Sequence, residues 1–301
     1  MARKVLITGA AGQLGKYLQS ALKDKYNVIP TVRAAKKSIK YSNFKILNIT
    51  KRNDVIKIIN KIQPDIIINC AAYTNVDKSE KDKKNAHLIN VEGVQNLIHA
   101  SNNSTYFIQI STDYIFNGDA GPYSEKDHAY PINYYGRTKL EAENILIGSR
   151  RPFLIIRPNV IFSENLLSKN NFFAWVYKSL LNKKQIALVN DQISNPTYVG
   201  HLCEVILKCI ILNKEGIYHF GTDGYISRYE FALAIADIFH LDKTLINSIE
   251  TKMLARNLSS YIAKRPKHSG LSTNKIEDEL DLPIYSIEYS LNMLKKQLLS
   301  S

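Results

Sequence analysis

The sequence predicts an α/β protein built on a doubly wound parallel sheet, followed by a smaller C-terminal lobe. Three observations predict it. Short apolar strands alternate with helical stretches at the spacing of βαβ units through the first half. A glycine-rich turn joins the first strand to the first helix, and Asp65–Cys70 reads as a strand buried on both faces, as in parallel sheets.

Taken in order, Lys4–Thr8 is a strand, Leu14–Lys25 a helix and Asn27–Val32 a second strand, which completes one βαβ unit. The helix Asn53–Lys61 stops at Gln63-Pro64, because the residue before a proline is pushed out of the helical region. After the strand Asp65–Cys70 come a long helix Lys84–Ala100, the strand Tyr106–Ile110, a helix Tyr134–Ile147 and the strand Phe153–Ile156. Beyond Arg157-Pro158 the rhythm is less regular. Phe172–Leu181 reads as a helix, Gln185–Val189 as a strand, Pro196–Leu212 as a helix opened by its proline, and Ile217–Phe220 as a strand. Ser227 and Glu230 form a capping box before the helix Tyr229–Phe239, and Met253–Ala263 and Tyr285–Leu298 read as further short helices. The expected division is a dinucleotide-binding Rossmann domain over residues 1–157 and a lobe over 158–301, with segments around 198–220 returning to the sheet.

Composition bounds the function. The chain has 301 residues, 45% hydrophobic and 22% charged, the profile of a folded enzyme-sized protein. No apolar run approaches a membrane span, and the apolar stretch after Met1 is too short for a signal peptide. Cys70, Cys203 and Cys209 are odd in number and lack ligand spacing, so neither a disulfide framework nor a metal site is expected, and the expected compartment is cytoplasmic. The net charge of +13 is spread along the chain; its densest runs, Arg33–Lys40 and Lys78–Lys84, lack interleaved aromatic platforms and read as solvated faces rather than a nucleic-acid surface.

The chemistry sits in four stretches of the chain. Gly9-Ala10-Ala11-Gly12-Gln13-Leu14-Gly15 lies between a strand and a helix, the context in which glycines let the backbone approach a pyrophosphate at the helix N-terminus. Thr31-Val32-Arg33 at the end of the second strand has no acidic residue for a ribose 2′-hydroxyl and ends in an arginine that suits a 2′-phosphate, which favours NADPH, with NADH as the alternative. Tyr135 and Lys139, four apart on a helix, project from one face, and a nearby cation makes the phenol a stronger acid. Bringing a phenol from about 10 to about 7 takes roughly 4 kcal/mol of differential stabilisation, more than one lysine need supply. Ser111-Thr112-Asp113-Tyr114 follows the strand Tyr106–Ile110, at the sheet edge where open α/β folds bind ligands. Thr112, Tyr135 and Lys139 therefore read as a carbonyl-reducing trio.

In this order the motifs resemble the extended short-chain dehydrogenase/reductase superfamily. Pro64–Asp77, Ser111–Phe116 with Gly118, Asp191-Gln192 before Pro196-Thr197, and Lys264-Arg265-Pro266 with Ser269 and Leu271 are similar to the dTDP-4-dehydrorhamnose reductase family, over nearly the whole chain. The resemblance implies hydride transfer from NADPH to the C4 ketone of a nucleotide-activated 6-deoxy-4-keto sugar, in a monomer or homodimer without membrane or nucleic-acid partners. It implies that Tyr135 protonates the alkoxide, Lys139 tunes Tyr135 and holds the nicotinamide ribose, and Thr112 orients the ketone. It also implies that Gly9, Gly12, Gln13, Leu14, Gly15 and Arg33 hold the nucleotide, that Cys70, Ala71, Ala72 and Tyr73 line the cofactor cleft, and that Thr74, Val76, Tyr114 and Asn159 meet the sugar. Asn171, Arg228, Lys264 and Arg265 are further candidates for its diphosphate. Three positions depart from the family pattern: Val160 stands where well-studied members have tryptophan, Ile193-Ser194-Asn195 replaces a glycine-containing turn with asparagine to keep it, and Tyr17 stands where some members carry a magnesium-binding glutamate. The alternatives are another nucleotide-sugar reductase or epimerase, or an NADP-binding regulatory subunit similar to that of methionine adenosyltransferase.

Overall fold

A computed structural model describes residues 2–34, 43–166, 171–257 and 262–300. The first strands and helices follow the apolar pattern, with β1 (Lys4–Thr8), α1 (Gln13–Leu22), β2 (Asn27–Val32), α2 (Arg52–Ile62) and β4 (Ile66–Asn69), while the short exposed strand β3 (Lys45–Ile46) between β2 and α2 was not among the elements expected. α2 ends where expected, with Gln63 in a left-handed conformation at φ 50° just before Pro64. Next come α3 (Val76–Lys81), α4 (Lys83–His87), α5 (Gly93–Ala100), β5 (Tyr106–Ile110), α6 (Tyr134–Gly148) and β6 (Phe153–Pro158). The helix expected over Lys84–Ala100 is interrupted: between α4 and α5 the chain makes a wide π turn, Leu88–Glu92. α3, with Asn75 capping its N-terminus, carried too little apolar periodicity to be anticipated.

The central sheet has seven strands in the order β11-β6-β5-β4-β1-β2-β3, where β11 is Gly216–Phe220. β1 pairs in parallel with β2 and β4, β4 with β5, and β5 with β6. Every residue of β4 and β5 is buried, so both faces of the sheet are covered. One face, with Leu6, Ile67, Phe107 and Ile155, packs in a single apolar cluster with Val55 and Ile59 of α2, Val94 and Leu97 of α5, and Ala142 and Leu146 of α6. Burial of each of these side chains larger than alanine stabilises the fold by roughly 1.5–3 kcal/mol. The parallel register sets Thr8 beside Asn69 and Asn69 beside Gln109 at the carboxyl end of three adjacent strands.

The chain divides into two compact units: Met1–Thr112 with Tyr134–Arg157 and Cys203–Tyr218, and Asp113–Asn133 with Pro158–Leu202 and His219–Ser301. The second contains β7 (Ile161–Phe162), α7 (Phe172–Leu181), β8 (Ile186–Val189), β9 (Ile193–Ser194) and β10 (Thr197–Tyr198). α8 (Val199–Ile211) starts three residues later than the sequence suggested. Thr197 N instead donates to Val160 O at 2.9 Å, drawing the residues after Pro196 into a parallel pair with β7. Ile193-Ser194 is likewise a strand rather than a turn, antiparallel to β12 (Ile226–Ser227). α9 (Arg228–Phe239) opens on the anticipated capping box, with Glu230 N donating to Ser227 Oγ at 3.1 Å and Ser227 N to Glu230 Oε2 at 2.7 Å. β13 (Ile246–Ile249) pairs with β8, and α10 (Thr251–Asn257), α11 (Asn274–Leu280) and α12 (Ile287–Leu299) complete the chain. Of the helix expected over Met253–Ala263, residues 258–261 lie outside the described residues, as do residues 35–40 of the basic run; Ile262 and Ala263 are not helical. Among the described residues no helix is long and apolar enough to cross a membrane.

The glycine turn shows how tightly α1 meets the sheet. Gly9 adopts φ 62°, and a Cβ there would lie 2.8 Å from Ala71 N, while one at Gly15 would lie 2.6 Å from Ala10 Cα. Both obstacles are backbone, so neither can swing away. We expect Gly15→Ala to cost about 1–3 kcal/mol, measurable as a lower urea midpoint at an unchanged m-value.

Candidate active site

α6 brings Lys139 to the carboxyl end of β5, the strand that Thr112 follows. Lys139, only 2% exposed, donates from Nζ to Ile110 O at 2.5 Å, two residues before Thr112. Tyr135 lies one turn earlier on the same helix and is also buried. Thr112 is buried where the strand ends, beside Ser111, whose buried Oγ has no hydrogen-bond partner.

Burial pushes the Lys139 ammonium down to about 8, and Glu143 and Cys70 act in the opposite direction. Burial pushes the Cys70 thiol up to about 12, moderated by Lys139. Cys70 is therefore a neutral thiol at physiological pH.

The carbonyl that receives Lys139 is fixed by side chains that sequence reasoning did not single out. Gln109 Nε2 donates to the same Ile110 O at 2.9 Å, Asn69 Nδ2 donates to Gln109 Oε1 at 2.9 Å, and Thr8 Oγ1 donates to Asn69 Oδ1 at 2.5 Å. Ala71 N closes the chain on Thr8 Oγ1 at 3.2 Å. Ser111 N donates to Ile156 O at 2.7 Å, so the Ile110-Ser111 peptide is held at both ends. Polar residues in register at the ends of otherwise apolar strands were the available signal.

α6 is tied down in two further places. Tyr134 N, at its start, donates to Glu80 Oε1 of α3 at 2.7 Å. Asn90, in the π turn, donates from Nδ2 to Thr138 Oγ1 at 2.9 Å and to Tyr73 O at 3.2 Å, while its Oδ1 accepts from Tyr73 N at 2.7 Å. One buried amide thus connects the Cys70–Tyr73 segment to the helix of Tyr135. A buried asparagine inside an apolar helical run marks the place, and π turns recur at functional sites.

The turn before α1 fits a dinucleotide. Gly12 is the N-cap, no side chain caps the helix, and the first-turn N–H groups face the turn. Gln13 Nε2 is buried without a hydrogen-bond partner, Leu14 and Gly15 are buried, and Arg33 is exposed at the end of β2. Free donors at the positive end of a helix, with no side chain filling the glycine turn, suit a diphosphate.

The remaining candidates fall elsewhere. Cys70, Ala71, Ala72 and Tyr73 follow β4, with Tyr73 OH donating to Asp82 Oδ2 at 3.3 Å; Thr74 is exposed, and Val76 opens α3. Tyr114 belongs to the second unit, in a 3-10 turn Asp113–Ile115. Asn159 spends its Nδ2 on Asn195 Oδ1 at 2.8 Å and Ser269 O at 3.0 Å, and its buried Oδ1 has no hydrogen-bond partner. Asn171 donates to Ser163 O at 2.6 Å and Asn165 O at 3.2 Å, clamping a loop. Arg228 stands over the Phe172 ring, Lys264 is exposed, and Arg265 Nη1 donates to Ala263 O at 2.8 Å.

A parallel sheet in this order, a glycine turn entering its first helix and a buried Tyr-x-x-x-Lys pair at the strand ends define a Rossmann-fold protein of the short-chain dehydrogenase/reductase class. The family model described as the RmlD substrate binding domain matches residues 3–299. The chain is 36% identical over 284 residues to dTDP-4-dehydrorhamnose reductase of Aggregatibacter actinomycetemcomitans, covering 91% of this chain and 92% of that protein. It is 34% identical to the spore coat polysaccharide biosynthesis protein SpsK of Bacillus subtilis, covering 91% of each. The crystal structure of dTDP-4-dehydrorhamnose reductase from Bacillus anthracis in complex with NADP superimposes with a TM-score of 0.88 at 32% identity, covering 99% of this chain and 100% of that one. The chain belongs to the dTDP-4-dehydrorhamnose reductase family.

The buried ammonium has a thermodynamic signature. Its folded pKa, about 8, lies below the ordinary lysine value of 10.5, so the unfolded chain binds the extra proton. The resulting destabilisation, on the order of 3 kcal/mol, is fully present below about pH 8 and fades as pH rises to about 10.5. We expect the stability of Lys139→Met relative to wild type to be highest below pH 8 and to decline across that window, as read by urea denaturation.

Proposed function

We propose that this protein reduces the C4 ketone of a nucleotide-activated 6-deoxy-4-keto sugar with NADPH, converting dTDP-4-dehydro-L-rhamnose to dTDP-L-rhamnose. The observation that carries the reading is the buried Lys139 ammonium, anchored on Ile110 O one helical turn from Tyr135 and two residues before Thr112. Membership of the reductase family and the likeness to an NADP-bound reductase support it.

Tyr135 is the proton donor to the developing alkoxide. Lys139, mostly charged at neutral pH, favours the phenolate form of Tyr135 and so makes the neutral phenol a stronger acid. Its remaining N–H groups are assigned to the nicotinamide ribose, and the Thr112 hydroxyl orients the ketone. Gly9, Gly12, Gln13, Leu14 and Gly15 hold the diphosphate, Arg33 meets the 2′-phosphate, and Cys70, Ala71, Ala72 and Tyr73 border the nicotinamide end. NADPH, when bound, supplies the hydride. Thr74, Val76 and Tyr114 are assigned to the sugar, while Asn159 has only its Oδ1 to offer. The free thiols of Cys70, Cys203 and Cys209 fit work in the reducing cytoplasm.

NADPH absorbance, followed with the keto sugar nucleotide, tests this directly. Tyr135→Phe is expected to lose about 10²-fold or more in kcat with NADPH affinity retained. Undiminished turnover in that variant, or none in wild type, would remove the reading. Turnover needs the ammonium, so kcat should also fall as pH rises through about 8.

A further inference from the structure

Lys139 is a cation in a site nearly closed to water, and a buried charge must be compensated or neutralised. Ile110 O contributes only a carbonyl dipole, already shared with Gln109. A buried acidic residue lies on α6 itself. Glu143, four residues after Lys139 and fully buried, is on the same helix face one turn along. Arg157 of β6 grips its carboxylate from the sheet side, with Nη2 2.7 Å from Oε2 and Nε 3.1 and 3.2 Å from Oε1 and Oε2.

We propose that Glu143, pinned by Arg157, is the positioning residue that keeps the Lys139 ammonium protonated at the catalytic strand end. This rests on the reductase reading for its purpose but not for its test. Glu143 is the larger of the two groups that hold the ammonium up against burial, and the other, Cys70, carries no charge at neutral pH because its own thiol is pushed up to about 12. Glu143 is thus the charged group that opposes the effect of burial on Lys139. Two of the titratable groups on the helices packed against α6 are engaged elsewhere: Glu80 of α3 holds Tyr134 N, and His87 of α4 lies 3.4 Å from both Glu92 and Glu141 on the exposed side. Arg157 orients the carboxylate and keeps it from swinging toward the ammonium, so Lys139 stays free to hold Ile110 O and to meet a ligand.

The simpler alternative is that the pair only ties α6 to β6. Two substitutions separate these roles. Glu143→Gln keeps the length and an acceptor for Arg157 but loses the charge; Glu143→Asp keeps the charge but shortens the arm. For each protein, the unfolding free energy minus that of its Lys139→Met counterpart, followed against pH, reports the Lys139 titration without any ligand. The break, near pH 8 in wild type, is expected to move down by about one unit in Glu143→Gln and to stay within about 0.3 units in Glu143→Asp. A purely structural tie predicts the reverse order. Glu143→Gln/Arg157→Met, which strands no guanidinium and also removes the opposing Arg157 charge, should move the break down by less than Glu143→Gln and replaces it if the latter does not fold. A break left at its wild-type position in the neutral variants, or moved as far by Asp as by Gln, overturns the proposal. The alkaline limb of kcat should follow the break. Failure of wild type to oxidise NADPH with the keto sugar would remove the reductase reading while the linkage curves still decide the role of Glu143.

Discussion

A protonated lysine buried at the carboxyl end of a parallel sheet imposes conditions on everything around it. It needs an acceptor that does not move, and the Ile110 carbonyl is held by Gln109 on one side while the Ser111 amide is held by β6 on the other. Gln109 is held by Asn69, and Asn69 by Thr8, so three strands of the sheet contribute to the position of one oxygen. Such a run of buried amides is stabilising only if every member is satisfied, and here the parallel register satisfies it by placing the three side chains next to one another.

The same logic governs α6. A helix carrying two reacting groups is useful only if it cannot slide or rotate, because small displacements at a reacting centre cost large factors in rate. Its start is capped by Glu80, its first turn is braced through Thr138 by Asn90, and its middle is fixed by the Arg157–Glu143 pair. These ties come from three different parts of the chain. The π turn that carries Asn90 makes sense in this light: widening the helix there accompanies an amide that reaches both the Tyr73 backbone and α6.

The second unit is knitted by a comparable device. Asn195 is almost fully buried; its Oδ1 accepts from Asn159 Nδ2 and from Leu271 N, and its Nδ2 donates to Leu271 O and Thr222 O. Ser269 Oγ donates to Asp113 Oδ2 at 2.6 Å. The residues that stood out late in the sequence, Ser269 and Leu271, are thus structural partners of the Asp113 segment and of Asn195. Asn195 does not adopt the left-handed conformation of a turn; it acts as a four-bond hub.

What the sequence determined by itself was local and periodic. The apolar strands, the glycine turn, the capping box at Ser227 and the helical stop at Gln63 each depend on residues within a few positions of one another, so they were legible before any coordinates. Tyr135 and Lys139 were legible as a pair because helix geometry alone puts them on one face. The tertiary structure decided what required strands distant in sequence to meet: the Thr8–Asn69–Gln109 run, the grip of Arg157 on Glu143, the brace at Asn90, and the pairing of Thr197-Tyr198 with Ile161-Phe162 that displaced an expected helical turn. A buried polar side chain gains its meaning from the partner that keeps it from being unsatisfied, and sheet register and helix docking, rather than sequence spacing, choose that partner.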